Sequence, residues 1–303
     1  MIRSAYLAAE GYEEPLGEEL ARAGLGVTRW HGRLALSPDP PRPSAWALEA
    51  WTAPRTLEVA SVKAAADSLR ALQRNWAHYG AGHFRRSALI AARLPPVAAK
   101  PLRFPQLAPA SHLGAWTLLE PGVLLASPTK TSPFPNGAVA FVEDRAGPPS
   151  RAYLKLWEAF TRMGTWPQPG EACIDLGASP GGWTWAAAQL GARVKAIDRA
   201  PLDPAVAAMP GVAWSQGNAF AVEPEPVDWL LSDVIAYPAP LLDLVRRWIA
   251  AGVAGKVVCT IKLQGATDHA AIEAFAGIAG GTVMHLAHNK HELTFCWARP
   301  GSA

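Results

Sequence analysis

The chain has 303 residues, 50% of them hydrophobic and 17% charged, which is enough apolar material for two ordinary domains and too much for a disordered chain. Its 28 Lys+Arg against 25 Asp+Glu leave a net charge of +3, which as a sum does not mark a polyanion binder. No apolar run is long enough to cross a bilayer as a helix and the N-terminus lacks the apolar stretch of a secretory signal, so a cytoplasmic protein without membrane contact is expected.

The first 36 residues are expected to run strand, helix, strand. Residues 3–9 alternate in polarity, residues 12–23 carry acids early and stop near Gly24, and residues 27–36 read as a second strand. Residues 45–72 mix helical and extended signals. Residues 94–110 hold Pro95, Pro96, Pro101, Pro105 and Pro109 and are expected to be irregular. Short strands are expected at 123–126 and 138–142, around the turn-rich Ser132-Pro133-Phe134-Pro135-Asn136-Gly137.

Charge is unevenly spread. Residues 1–150 carry 16 basic and 12 acidic side chains, residues 151–303 carry 12 and 13. No acid lies between Asp67 and Glu120, a stretch that holds Arg70, Arg74, Arg85, Arg86, Arg93, Lys100 and Arg103. Trp76, Tyr79, Phe84, Phe104 and Trp116 are interleaved with them. Arginine among aromatics suits phosphate contact and base stacking, and a solvated connector is the alternative.

From Pro148 the pattern changes. A helix is expected over 151–163, then strands at 172–176, 194–198, 212–215, 229–232, 256–262, 283–287 and 293–298. Helices are expected at 183–190, 239–250 and 268–278. This alternation predicts a Rossmann-like, doubly wound α/β domain over 148–303, preceded by a smaller α+β region over 1–147. Ligands of such sheets sit beyond the carboxyl ends of the strands.

At the first of those ends stands Asp175-Leu176-Gly177-Ala178-Ser179-Pro180-Gly181-Gly182-Trp183-Thr184. A dinucleotide fingerprint would need glycine at 179, and a P-loop would need lysine at 183. Asp175 with Gly177 and Gly181 suits a ligand carrying an amino acid and a nucleoside. Asp198, ending the next strand, suits ribose hydroxyls. S-adenosylmethionine (SAM) fits both ends.

The same loop resembles the SAM-binding motif of the FtsJ-type ribose 2′-O-methyltransferases. That family carries a Lys-Asp-Lys-Glu tetrad. Ser150-Arg151-Ala152-Tyr153-Leu154-Lys155-Leu156 resembles the helix bearing its first lysine, Leu231-Ser232-Asp233 its aspartate, Ile261-Lys262-Leu263 its second lysine, and His291-Glu292-Leu293-Thr294 its glutamate. Gly11-Tyr12-Glu13, Glu18-Glu19-Leu20 and Ser132-Pro133-Phe134 are similar to the N-terminal parts of the branch acting on large-subunit ribosomal RNA. In that branch a THUMP-like RNA-binding part lies between these segments, and here it is short and basic.

The resemblance implies a SAM-dependent RNA 2′-O-methyltransferase, acting on a cytidine of 23S rRNA, with Lys262 as general base. Its depressed pKa would come from nearby Lys155 and partial burial. Asp233 would orient Lys262, and Glu292 would hold Lys155 or the ribose. SAM would be bound by Ser150, Gly177, Ser179, Pro180, Gly181, Gly182, Trp183, Asp198, Asn218 and Asp233. RNA would be gripped by Arg70, Arg74, Arg85, Arg86, Arg93, Lys100 and Arg103. The alternatives are another RNA, such as a tRNA or a cap-like end, or an RNA-binding protein without catalysis. A monomer is expected.

Cys173, Cys259 and Cys296 lie in apolar runs without metal-ligand spacing and read as buried free thiols. His285, His288 and His291 have helical spacing, but their segment reads as strand and turn. They are expected at the surface or behind the site, with no metal.

Overall fold

Apolar side chains on both faces of Ser4–Ala8 (β1) make it the inner strand of a sheet rather than an edge. The computed structural model describes residues 1–97 and 100–301. Two residues of the expected irregular segment, Ala98 and Ala99, lie outside the described residues, as do Ser302 and Ala303. Two units are resolved: Met1–Leu102 with Ala108–Ala140, and Arg103–Leu107 with Phe141 onward.

In the first unit, β1 is followed by α1 (Glu13–Arg22), β2 (Arg29–His31), β3 (Leu34–Ser37) and β4 (Ala47–Trp51). They form an antiparallel sheet in the order β2-β3-β1-β4. The expected strand over 27–36 is therefore a hairpin. It folds at Gly32, whose φ of +57° and contact with the Tyr79 hydroxyl exclude a side chain there. The chain then supplies β5 (Arg55–Glu58), α2 (Val62–Leu72), β6 (Trp76–His78), α3 (Phe84–Ala91), β7 (Gly114–Glu120) and β8 (Val123–Ser127). A second sheet runs β5-β8-β7-β6.

Alternation along β7 and β8 builds three layers. Ala115, Leu119 and Leu125 pack on the first sheet with Leu7, Leu36 and Trp51. Trp116, Leu118, Leu124 and Ala126 pack on α2 and α3 through Ala65, Leu69 and Ile90. The strand expected at 138–142 does not form. Gly137 turns the chain with a φ of +72° against Leu48, and the Ala140 carbonyl accepts from the Leu102 amide at 2.8 Å.

The five interleaved aromatics are not a stacking array. Trp76, Tyr79 and Trp116 are buried in the first unit, and Phe84 alone is well exposed, at 68%. Phe104 belongs to the second unit, where its ring stacks on Trp157 at 4.8 Å. That packing draws Arg103–Leu107, Arg103 included, into the second unit and places the main division at 140/141.

The second unit holds α4 (Tyr153–Met163), β9 (Ala172–Leu176), α5 (Gly182–Gln189), β10 (Arg193–Asp198), α6 (Pro204–Ala207) and β11 (Val212–Gln216). It continues through β12 (Val227–Ser232), α7 (Pro238–Ala250), β13 (Ala254–Lys262), α8 (His269–Ala276), β14 (Gly281–Met284) and β15 (Glu292–Ala298). Seven strands run β11-β10-β9-β12-β13-β15-β14, all parallel except the β15 pairings with β13 and β14. The order reverses between β9 and β12, which opens a crevice at their carboxyl ends. The three cysteines are free and buried within the strands of this unit, and burial pushes their thiols up, Cys296 to about 12. No helix among the described residues is long and apolar enough to cross a membrane.

Candidate active site

Each apolar strand around the crevice carries, at or next to its end, a residue that is costly to bury. β9 ends beyond Asp175, β10 at Asp198, β12 just before Asp233 and β13 at Lys262. A cavity of about 360 Å³ opens between these ends, within the usual size range of small-molecule sites. Its wall includes Ser150, Gly177, Ser179, Pro180, Gly182, Trp183, Asp198, Asn218 and Asp233, together with Lys262. Of the residues expected to bind a cofactor, only Gly181 is missing from the wall. It makes the turn instead, with a φ of +114°, and an added Cβ would lie 3.0 Å from Val206.

The loop is held from both sides. Asp198 accepts hydrogen bonds from the Ser179 amide and the Ala200 amide, each at 2.9 Å. The Trp183 indole donates to the Ala152 carbonyl at 3.0 Å, which ties α5 to the start of α4. Gly177 lies so close to Val234 that a Cβ would sit 2.7 Å from its Cα. The Asn218 side-chain oxygen accepts from the Phe220 amide at 3.2 Å. Trp185 is buried against Tyr153 and Trp157 as core.

Asp175 is fully buried. One carboxyl oxygen accepts from the Thr184 hydroxyl at 2.7 Å, and the other, Oδ1, has no hydrogen-bond partner among the described residues. Burial raises its pKa to about 7. An orphaned buried carboxyl on a cavity wall fits a ligand bearing a donor or a cation at that end. Asp198 and Asn218 offer acceptors to hydroxyl and amino groups at the other. The residues present therefore fit SAM.

Beside the cavity, four side chains from four elements converge. Lys155 on α4 places Nζ 3.0 and 2.8 Å from the two carboxylate oxygens of Asp233 and 3.1 Å from Oε1 of Glu292. Lys262 donates to the Asp233 carbonyl at 2.6 Å and lies 3.1 Å from Asp233 Oδ1. Antiparallel pairing of β13 with β15 sets Lys262 opposite Glu292. Burial disfavours the Lys155 ammonium, but the carboxylates of Asp233 and Glu292 outweigh it and raise its pKa. Asp233 lies between the two lysines and contacts both.

Sequence reasoning missed Glu158, one turn beyond Lys155. Its buried carboxylate accepts from the Ala287 amide at 3.0 Å, the His288 amide at 3.2 Å and the His288 ring at 2.7 Å, and pairs with Arg162 at 2.7 Å. It thereby fastens the turn that leads into Glu292. His285, expected at the surface or behind the site, is buried, which lowers its pKa to about 4. Its i,i+4 pairing with Arg162 looks like an ordinary helix-surface pair, and the partners that set its role, Ala287 and His288, lie about 130 residues away.

This arrangement, a doubly wound sheet with a nucleoside-sized crevice at its reversal point, is a Rossmann-like methyltransferase fold. The chain belongs to the FtsJ-like methyltransferase family, whose model matches residues 148–301. A protein of Halorhodospira halophila named ribosomal RNA large subunit methyltransferase M is 43% identical over 119 residues, covering 38% of this chain and 35% of that protein. One of the same name from Laribacter hongkongensis is 34% identical over 200 residues, covering 59% and 56%. The chain therefore spans between about a third and just over half of these relatives. The Methanococcus jannaschii fibrillarin pre-rRNA processing protein superposes with a TM-score of 0.34 and 19% identity, covering 45% of this chain and 69% of that one.

Proposed function

We propose that this chain is a SAM-dependent RNA ribose 2′-O-methyltransferase whose substrate is a cytidine of large-subunit ribosomal RNA. The observation that carries the chemistry is the convergence of Lys155 and Lys262 on one carboxylate, Asp233, at the wall of the cavity. The names borne by the relatives support the choice of RNA.

SAM, when bound, supplies a methyl group activated by its sulfonium. A ribose hydroxyl is a weak nucleophile and needs a positioned base to take its proton. Lys262 Nζ is that base. The Asp233 carbonyl and carboxylate fix where Nζ points, so the hydroxyl is met in one geometry. Lys155, kept as an ammonium, holds Asp233 and Glu292 together and carries no proton in the reaction.

RNA phosphates are gripped by Arg74, Arg85, Arg86, Arg93 and Lys100 on the first unit and by Arg103 on the second. Arg70 contributes least, since its guanidinium is held by Asp67 and by the Arg93 carbonyl. The protein acts in the cytoplasm as a monomer. The test is methyl transfer from labelled SAM to unmodified ribosomal RNA. Lys262→Ala is expected to lower the rate about 10²- to 10⁴-fold while SAM still binds. Undiminished transfer would overturn the mechanism.

A further inference from the structure

Two large apolar side chains stand exposed within four residues of Asp233. β12 delivers Asp233 to the lysines, and Val234 is pinned beneath Gly177. The chain then leaves the core. Ile235 is 81% exposed on the cavity wall, next to Asp233 and Lys262. Tyr237 is 62% exposed at the start of α7, where buried Pro238 anchors the backbone behind it. The Tyr237 hydroxyl and ring have no hydrogen bond or ring contact among the described residues.

Exposed apolar side chains that adjoin a polar site mark a surface used in binding. The proposed reaction specifies what must arrive there. A hydroxyl presented to Lys262 brings its own nucleobase within a few ångströms, because base and hydroxyl sit on neighbouring ribose carbons. Every base has an apolar π-face, and proteins that read unpaired nucleotides stack it on aromatic rings. A base still paired in a duplex has no such face free.

We propose that the segment 235–237 is the acceptor-base platform, with the Tyr237 ring stacked on an unpaired base and Ile235 packed along its edge. The inference rests on the RNA methyltransferase reading and adds that the acceptor nucleotide is taken out of any helix.

The test uses the full chain and a fluorescein-labelled single-stranded oligocytidylate of nine nucleotides, read by anisotropy. Tyr237→Ala is expected to weaken binding about tenfold, and Tyr237→Phe, which keeps the ring, to restore it. Annealing the oligonucleotide to its complement is expected to abolish the difference between wild type and Tyr237→Ala. Unchanged affinity in Tyr237→Ala, a Tyr237→Phe variant as weak as Tyr237→Ala, or no binding by the wild type would each overturn the platform. So would a loss of SAM affinity in Tyr237→Ala by calorimetry, since the segment would then serve the cofactor. Binding is scored without turnover, so a wild type that stacks the oligonucleotide but transfers no methyl group overturns the enzymatic reading alone.

Discussion

Lys155 grips both oxygens of the Asp233 carboxylate, at 3.0 and 2.8 Å, and reaches Glu292 with the same ammonium. One cation on α4 thus holds two carboxylates that end or begin different strands. Lys155→Met removes it and leaves those carboxylates facing a single lysine. Methyl transfer is expected to fall at least about 100-fold. Lys155→Arg should recover little, because a planar fork cannot satisfy three oxygens arranged around one nitrogen. Rates within threefold of wild type for Lys155→Met would contradict this role.

Asp175 makes stability depend on pH in the direction opposite to an ordinary carboxylate. Burial raises it to about 7, so the folded state prefers the proton. Stability is complete below the unfolded value near about 4 and declines as pH rises toward 7, with no further loss above. Melting curves from pH 4 to 8 should show that decline, and Asp175→Asn should flatten it. SAM affinity should rise over the same interval as the carboxylate forms opposite the ligand's cationic end. A pH-independent affinity in wild type would argue against contact with Asp175.

Glu158 works with the opposite sign. Burial opposes its charge, but Arg162, His288 and the Ala287 amide outweigh it and hold the carboxyl below its usual range. Its stabilisation is present above the unfolded carboxylate value and is lost as pH falls through the lowered folded value. Removing a buried, fully partnered carboxylate leaves the Ala287 and His288 amides without their acceptor. Glu158→Ala should therefore cost about 3–5 kcal/mol in denaturant titration. A cost below about 1 kcal/mol would show that the turn before Glu292 holds without it.

The arginines of the first unit can be read from salt dependence. On single-stranded RNA, a variant that no longer neutralises one phosphate should show a slope of log affinity against log salt shallower by about 0.7. Arg74→Glu and Arg85→Glu should each do so, and Arg70→Glu should do less, because Asp67 already holds that guanidinium. Equal slopes for all variants would remove these residues from the RNA path.

The second unit was legible because the residues proposed for its chemistry lie at strand ends. Apolar runs that stop at Asp198, Ser232-Asp233 and Lys262 mark both the strands and the crevice, and all four tetrad residues meet as expected. The first unit hid its plan. In β4, Glu49 breaks an apolar pattern that makes sense only when Lys130, 81 residues away, supplies the buried countercharge. In β7, Trp-Thr-Leu-Leu is buried on both faces, so alternation gives no signal. The arginine–aromatic stretch misled for a related reason. Neighbours in sequence alternate between core and surface, so Trp76, Tyr79 and Trp116 face inward while Arg74 and Arg85 face solvent.

Phe104 reaches the catalytic unit from a segment that precedes it by some forty residues, and lies against Phe141, Trp157, Phe160 and Trp166. A protein cut to the span of the family match would begin after both Phe104 and Phe141. Trp157, on the same helix that carries Lys155 and Glu158, would then lose two of the rings packed on it. An excised catalytic fragment would be prone to clump through that bare aromatic face, and weak activity in it would report a missing lid on the helix rather than missing RNA contacts. The second unit is therefore discontinuous in sequence, and no single cut site isolates it.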